Sequence, residues 1–281
     1  RRVALAQKEG RVIDEIPARR RLAEALSANR ERLEARQNLN QALDLAKKSG
    51  HKVEEALLTK GLGDQLYVSG AYSEAIARYQ QAATLFAGLS RITDRAESLQ
   101  FIGRCYYAKG DYDRGLDHLR AAVDAFEKQG VLSSVIIART DVSMCLLAKG
   151  MQQEAEELVK STAKMLPPDG LDEPRAHVLH AQGLLFTGKG ELKKARKAFL
   201  YAVALCRRGQ RDFELADVLA GYGQLLLRAR EPKRAWRAGK KAETIFTALD
   251  ARGQLKRITP LLNAAEGLSQ NKREGARVAL R

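Results

Sequence analysis

Cysteine, proline, methionine and tryptophan are all scarce in this 281-residue chain: three Cys, six Pro, three Met and one Trp, with aromatic residues at 6%. Three cysteines cannot form a disulfide framework for a chain this long, so a reducing, cytoplasmic setting is expected. No uncharged apolar run approaches the ~18 residues of a membrane span, which excludes an integral membrane helix protein. Catalytic signatures are missing too: there is no Gly-x-Ser-x-Gly elbow, Walker loop or kinase motif set. Gly61-Leu62-Gly63 falls inside a helical pattern and not after a strand, so it is no phosphate loop. The acidic residues are scattered over solvated positions, so neither an enzyme nor a cofactor is expected. The chain begins Arg1-Arg2-Val3, without an initiator Met or a signal-peptide core, and is expected to be a piece of a longer protein.

What the chain has is a folded composition and a repeat. Hydrophobic residues at 45% with 30% charged rule out a mostly disordered chain. Gly70, Gly110, Gly150 and Gly190 are spaced by 40 residues, and seven positions earlier stand Gly63, Gly103, Ser143, Gly183 and Gly223. Five positions after the turn glycine come Ala75, Gly115, Ala155, Ala195 and Ala235, followed by Ala82, Ala122, Thr162, Ala202 and Ala242. Small residues in register over five units are what closely crossing antiparallel helices need. The turn glycine suits the left-handed residue that ends a helix. Large apolar residues run between them at helical spacing, as in Leu62, Leu66 and Tyr79, then Ile102, Tyr106 and Leu119. A hairpin of this kind cannot bury its stripe alone, and stacked hairpins share one continuous core.

The run Gly103, Tyr106, Gly110, Tyr112, Gly115, Leu119, Ala122 resembles the tetratricopeptide repeat. The ordinary unit has about 34 residues; one of 40 implies longer helices or an extended linker. That is similar to the long-unit type of Pins-like adaptors and of bacterial signal-transduction regulators. The resemblance implies an all-α, right-handed α-solenoid, with five repeats over residues 52–248. Before them lies a degenerate N-terminal helical region, 1–51, read as either a hairpin or one long helix. After them come a capping helix over 249–270 and a basic tail, 271–281. The fifth unit has Arg230-Glu231-Pro232 where the others have a Gly turn. Pro167-Pro168-Asp169-Gly170 interrupts the pattern without breaking the period and reads as a loop.

By the same resemblance, unit positions two, five, nine and twelve line a concave groove. The candidates there are Lys60, Asp64, Tyr67, Gln100, Arg104, Tyr107, Thr140, Met144, His177, His180 and Gln224. Repeats of this family that clamp a chaperone's C-terminal carboxylate use a Lys followed four residues later by Asn. Lys60 is followed by Asp64, so that clamp is absent. Aromatic, Met and Arg side chains are enriched at contact sites, while Tyr67 and Tyr107 could equally cover the helix crossing. His177 and His180 share a helical face, but no metal-ligand set is apparent beside them, so no metal is expected. Cys105 and Cys145 occupy one unit position and read as core.

Basic residues outnumber acidic ones by 49 to 34, a formal +15. The net charge is +5 over residues 1–50, −2 over 51–190 and +12 over 191–281. On the second helices, Glu74, Asp113, Asp117, Glu154 and Glu157 give way to Lys193, Lys194, Lys197, Lys233, Arg234 and Arg237. A solvated face explains such a ridge by default. The functional alternatives are an acidic protein surface, self-association with another copy's acidic half, or a nucleic acid or anionic surface. Trp236 interleaves with the ridge and reads as core. The expected function is a non-catalytic protein-interaction module, the sensor or adaptor region of a regulatory protein that binds a peptide or helix. Nucleic-acid binding through the ridge is the alternative, and small-ligand sensing near His177 and His180 a third reading.

Overall fold

Left-handed backbone recurs every twenty residues. Gly50, Gly70, Ser90, Gly110, Gly130, Gly150, Gly170, Gly190, Gln210, Arg230 and Asp250 all have φ between 44° and 88°. All but Gly170, which lies in the 165–171 loop, end one helix and let the chain reverse into the next. At Gly70, for example, the Gly70 amide donates to the Tyr67 carbonyl and the Ala71 amide to the Leu66 carbonyl. Two helices and two such reversals make one 40-residue repeat, and most of the helices are 17 or 18 residues long. The extra length over an ordinary unit therefore lies in the helices.

The computed structural model describes residues 2–8, 11–29 and 31–278, with side chains for all of these except 28 and 271–278. Among the described residues there are fourteen helices and no strand. The chain divides into two compact units, Arg1–Gly130 and Val131–Arg281. The first holds α1 (Arg2–Lys8), α2 (Val12–Ala28), α3 (Arg32–Lys48), α4 (Lys52–Ser69), α5 (Tyr72–Gly88), α6 (Ile92–Lys109) and α7 (Tyr112–Gln129). The second holds α8 (Leu132–Lys149), α9 (Gln152–Lys164), α10 (Asp172–Gly188), α11 (Leu192–Arg208), α12 (Asp212–Arg228), α13 (Pro232–Ala248) and α14 (Arg252–Val278). No helix is long and apolar enough to cross a membrane among the described residues.

In the first unit α2 pairs with α3, α4 with α5 and α6 with α7, each hairpin stacking on the next. The N-terminal region is thus a hairpin and not one long helix. Its core of Ile16, Leu39, Leu43, Leu58 and Leu62 is continuous with the first full repeat. The small-residue column is required where the helices cross. A Cβ on Gly63 would lie 2.8 Å from the Tyr79 ring, and one on Gly103 would lie 2.6 Å from Leu119 Cγ.

The second unit repeats the plan with α8/α9, α10/α11 and α12/α13. First helices also touch first helices, α8 against α10 and α10 against α12. A Cβ on Gly183 would meet the Phe199 ring at 2.8 Å. The last hairpin solves the crossing differently. Gly239 stands where earlier hairpins place Tyr79, Leu119 and Phe199, and α14 fills the space with Leu261 and Leu262. A Cβ on Gly223 would lie 2.7 Å from Leu261, and one on Gly239 would lie 2.7 Å from Leu262. The α14 helix continues to Val278, past residue 270 where the expected cap ends, and residues 279–281 of the basic tail lie outside the described residues. Arg230 adopts the left-handed turn at φ 58° despite its side chain, and Pro232 opens α13 at a first-turn position.

Candidate functional site

The first helices α4 and α6 bring several of the predicted groove residues together in the first unit. The centre of the group is Phe101, which the positional rule did not select. Its ring stacks on Tyr79 (centroids 5.3 Å apart, 21° between planes) and meets Tyr67 edge-on at 5.7 Å. Arg104 lies over the same ring at 5.2 Å and Lys60 at 5.9 Å. Such ring and cation contacts are worth about 0.5–1.5 kcal/mol apiece. Phe101 occupies unit position six, which holds Gly61, Asp141, Ala181 and Gly221 in the other repeats. One aromatic in a column of otherwise small residues and an aspartate was the signal available.

The charges beneath these rings are internally matched. Lys60 Nζ lies 2.9 Å from Glu97 of the next hairpin. Tyr79 donates its hydroxyl to Asp64 Oδ1 at 2.7 Å, tying α4 to α5. Burial pulls the Lys60 ammonium down, but Asp64 and Glu97 more than offset this and leave its pKa raised. Burial raises the Asp64 carboxyl, against the opposing pull of Lys60 and the Tyr79 hydroxyl. Asp64 thus serves the fold first. Tyr67 and Tyr107 rest on the tyrosines that open their own second helices, Tyr72 at 5.9 Å and Tyr112 at 6.0 Å. All four of Tyr67, Phe101, Arg104 and Tyr107 are only half-buried.

At position five, two of the predicted contacts turn inward. Gln100 is buried, and Thr140, 2% exposed, donates its hydroxyl to the Ile136 carbonyl of its own helix. These two predicted contacts are therefore interior. In the second unit Met144 packs against the core group Val159, Ala181 and Leu185, while Gln224 is exposed. His180 sits against Phe199, and a Cβ on Gly221 would be 3.2 Å from its Nε2. Burial, then the neighbouring His177 and Arg257, hold the His180 imidazolium down to about 3, so the ring is neutral at physiological pH.

No protein-family model matches the chain, and no curated protein matches it. Among solved structures, it is similar to aspartyl phosphate phosphatase F from Bacillus subtilis, with a TM-score of 0.65 at 10% identity over 95% of this chain and 74% of that one. NprR in complex with its cognate peptide NprX superposes with a TM-score of 0.66 at 15% identity, covering 92% of this chain and 77% of that one. A Rap protein complexed with Competence and Sporulation Factor gives 0.62 at 15% identity, covering 95% and 80%. The fold is a tetratricopeptide-like helical repeat. At these identities the likeness extends to the fold alone.

On the second helices of the second unit, α11 and α13, the predicted ridge residues Lys193, Lys194, Lys197, Lys233, Arg234 and Arg237 are all exposed. Lys194 and Arg234 pair with Glu191 and Glu231, the acidic residues just before each helix. Lys193, Lys197, Lys233 and Arg237 form no ion pair with any described residue. Trp236, expected in the core, instead lies at the surface (38% exposed) with Lys240 5.8 Å over its ring. Leu200 and Tyr201 of α11 are exposed as well, and Lys197 covers Tyr201 at 6.0 Å. Trp236 stays outside because its column is the outward one; the same position in the preceding repeat is Arg196.

Two further expectations meet the structure here. Cys105, Cys145 and Cys206 are all buried, and none forms a disulfide among the described residues. Burial and nearby Asp64 push the Cys105 thiol up to about 12, and burial with Glu214 pushes Cys206 up to about 11, so neither of these two is a reactive thiolate near neutral pH. The expectation that no ligand-type residue accompanies His177 does not hold. Glu173 stands one helical turn before it, and Glu214 comes in from α12, with one donor atom of each residue within 4.8 Å of the other two. The Glu173–His177 spacing was legible in the chain; the arrival of Glu214 depends on how α10 and α12 stack.

Proposed function

We propose that this chain is the recognition region of a larger regulatory protein and binds a peptide or short helix on the first-helix face of its first unit. The observation that carries this reading is the half-buried cluster of Tyr67, Phe101 and Arg104, with Tyr107 one turn beyond Arg104. Rings and a guanidinium packed around Phe101, above the Lys60–Glu97 and Tyr79–Asp64 contacts, present a preorganised apolar and cationic surface, which lowers the ordering cost of binding. Support also comes from two solved structures of similar fold, one complexed with a cognate peptide and one with Competence and Sporulation Factor. The 40-residue period fits the long-unit adaptors and bacterial signalling regulators. The role is non-catalytic.

The test is selection of a displayed peptide library on the immobilised chain, followed by titration of the winning peptide. Arg104→Ala and Tyr107→Ala should each weaken that peptide by at least about tenfold, in line with central interface side chains. Circular dichroism should show both variants fully helical. Retained affinity in both would move the site off this face.

The unpaired cations on α11 and α13 favour a second reading, in which the outer face of the second unit docks an anionic partner. Lys193, Lys197, Lys233 and Arg237 are charged, exposed and not neutralised within the described chain. Charge complementarity of this sort predicts steep loss of affinity with salt, and a nucleic acid would show the log-linear dependence of counterion release. Titration with a single-stranded oligonucleotide and with an acidic peptide at two salt concentrations separates the nucleic-acid and protein forms.

A further inference from the structure

The geometry points to a divalent transition-metal site in the second unit, formed by Glu173 and His177 of α10 and Glu214 of α12. Glu173 and His177 are four residues apart and so lie on one face of α10. Glu214, in the first turn of α12, completes a set in which one donor atom of each residue is within 4.8 Å of the other two. An ion held at about 2.0–2.2 Å from each donor needs them only modestly closer, a movement within the reach of two Glu side chains. All three residues are half-buried, open enough for an ion to enter.

Glu214 is the informative member. It makes no hydrogen bond or ion pair with any described residue. Three repeat periods earlier the equivalent carboxylate, Asp94, is neutralised by Arg91 within its own helical turn. The equivalent of Arg91 is Arg211, and it does not turn to Glu214. It reaches across to α10 and donates two hydrogen bonds to Glu173, one to each carboxylate oxygen. Each of those oxygens keeps a second lone pair, so the guanidinium can remain as the outer partner that orients a ligating carboxylate. The outcome is a carboxylate left without a local cation, beside an imidazole and a second carboxylate, in a part of the chain whose net charge is strongly positive.

The donor chemistry selects the ion. One imidazole nitrogen and two carboxylates suit zinc and its first-row neighbours. Calcium takes six to eight oxygen ligands and would find too few. Three protein ligands leave at least one coordination position open to water or to a carboxylate from outside. The site shares no residue with the peptide face of the first unit, so its failure would leave that reading untouched.

The experiment is isothermal titration of the chelator-treated full chain with zinc chloride at neutral pH, with calcium chloride as a parallel probe. The expected result is one zinc ion per chain and no calcium heat. His177→Ala and Glu214→Gln should each weaken zinc by at least about tenfold, whereas His118→Ala should change nothing. Glu214→Gln removes no ion pair, so its thermal melt should match the parent and show that the loss is one of ligation. X-ray absorption of the zinc-loaded chain should show nitrogen and oxygen neighbours. No zinc uptake, uptake unaltered by either variant, or sulfur in the first shell would overturn the proposal.

Discussion

Unit position five carries a charged side chain in the first unit and a neutral one in the second. In the first, Lys60 is a cation supported by Asp64 and Glu97, and its charged form is favoured even though it is largely buried. In the second, His180 packs over Gly221 beside Phe199 and is held neutral. The helical frame is the same; the difference lies in what the neighbouring columns supply. Asp64 and Glu97 lie near Lys60, whereas His180 is surrounded by an aromatic ring and two further basic groups, His177 and Arg257. A repeat protein can therefore keep its interior columns constant and change the chemistry of each rung from the face inward.

The largest test of that contrast concerns the ring at the helix crossing. Phe199 is fully buried against Gly183 and Gly221, so Phe199→Ala should cost about 3–5 kcal/mol in urea unfolding. A loss under about 1 kcal/mol would mean the crossing is loosely packed. His180 gives a pH-dependent effect. Its unfolded pKa is near 6.5 and its folded one about 3, so the unfolded chain gains a proton first as the pH falls. Stability contributed by the neutral ring should decline between those values, by up to about 1.4 kcal/mol per pH unit. His180→Phe should flatten the profile over that window, and an unchanged slope would reject the assignment.

Tyr79 is the first-unit counterpart of Phe199, and it carries the added hydroxyl that Asp64 accepts. Tyr79→Phe keeps the ring and strands the carboxylate, at an expected cost of about 1–3 kcal/mol. Equal stability of the variant would show that Lys60 alone satisfies Asp64. The smallest effect should come at the turns. Gln210 holds a left-handed φ of 52° where Gly130 and Gly170 occupy the equivalent place in other repeats. Gln210→Gly should relieve that strain and raise stability by about 0.5–1 kcal/mol, read from the shift in denaturation midpoint.

The division between what was legible in advance and what was not follows the two kinds of column. Gly63, Gly103 and Gly183 revealed their helix crossings because a Cβ there would come within 3 Å of the facing side chain, and that need for a small residue is written locally. The turn glycines were legible for a different reason, a left-handed φ that a side chain disfavours. The alternative turns at Ser90, Gln210 and Asp250 were hidden, because non-glycine residues do not advertise a positive φ. Asp64 was recognisable as a charged first-helix residue, but its engagement by Tyr79 arises between two helices and could not be read from either alone. The exposure of Trp236 was legible from its column, which holds Arg196 one repeat earlier, but a lone tryptophan reads as core by default and that signal was passed over.

By itself, then, the chain determined the period, the helical hairpin and the small residues at each crossing, because helix geometry ties residues three, four and seven apart to one face. Only the stacking decided which distant side chains meet: Phe101 with Tyr67 and Tyr79, and Glu214 with His177. Those meetings depend on how one helix is set against another, an offset of a few ångströms that no spacing within a single helix encodes.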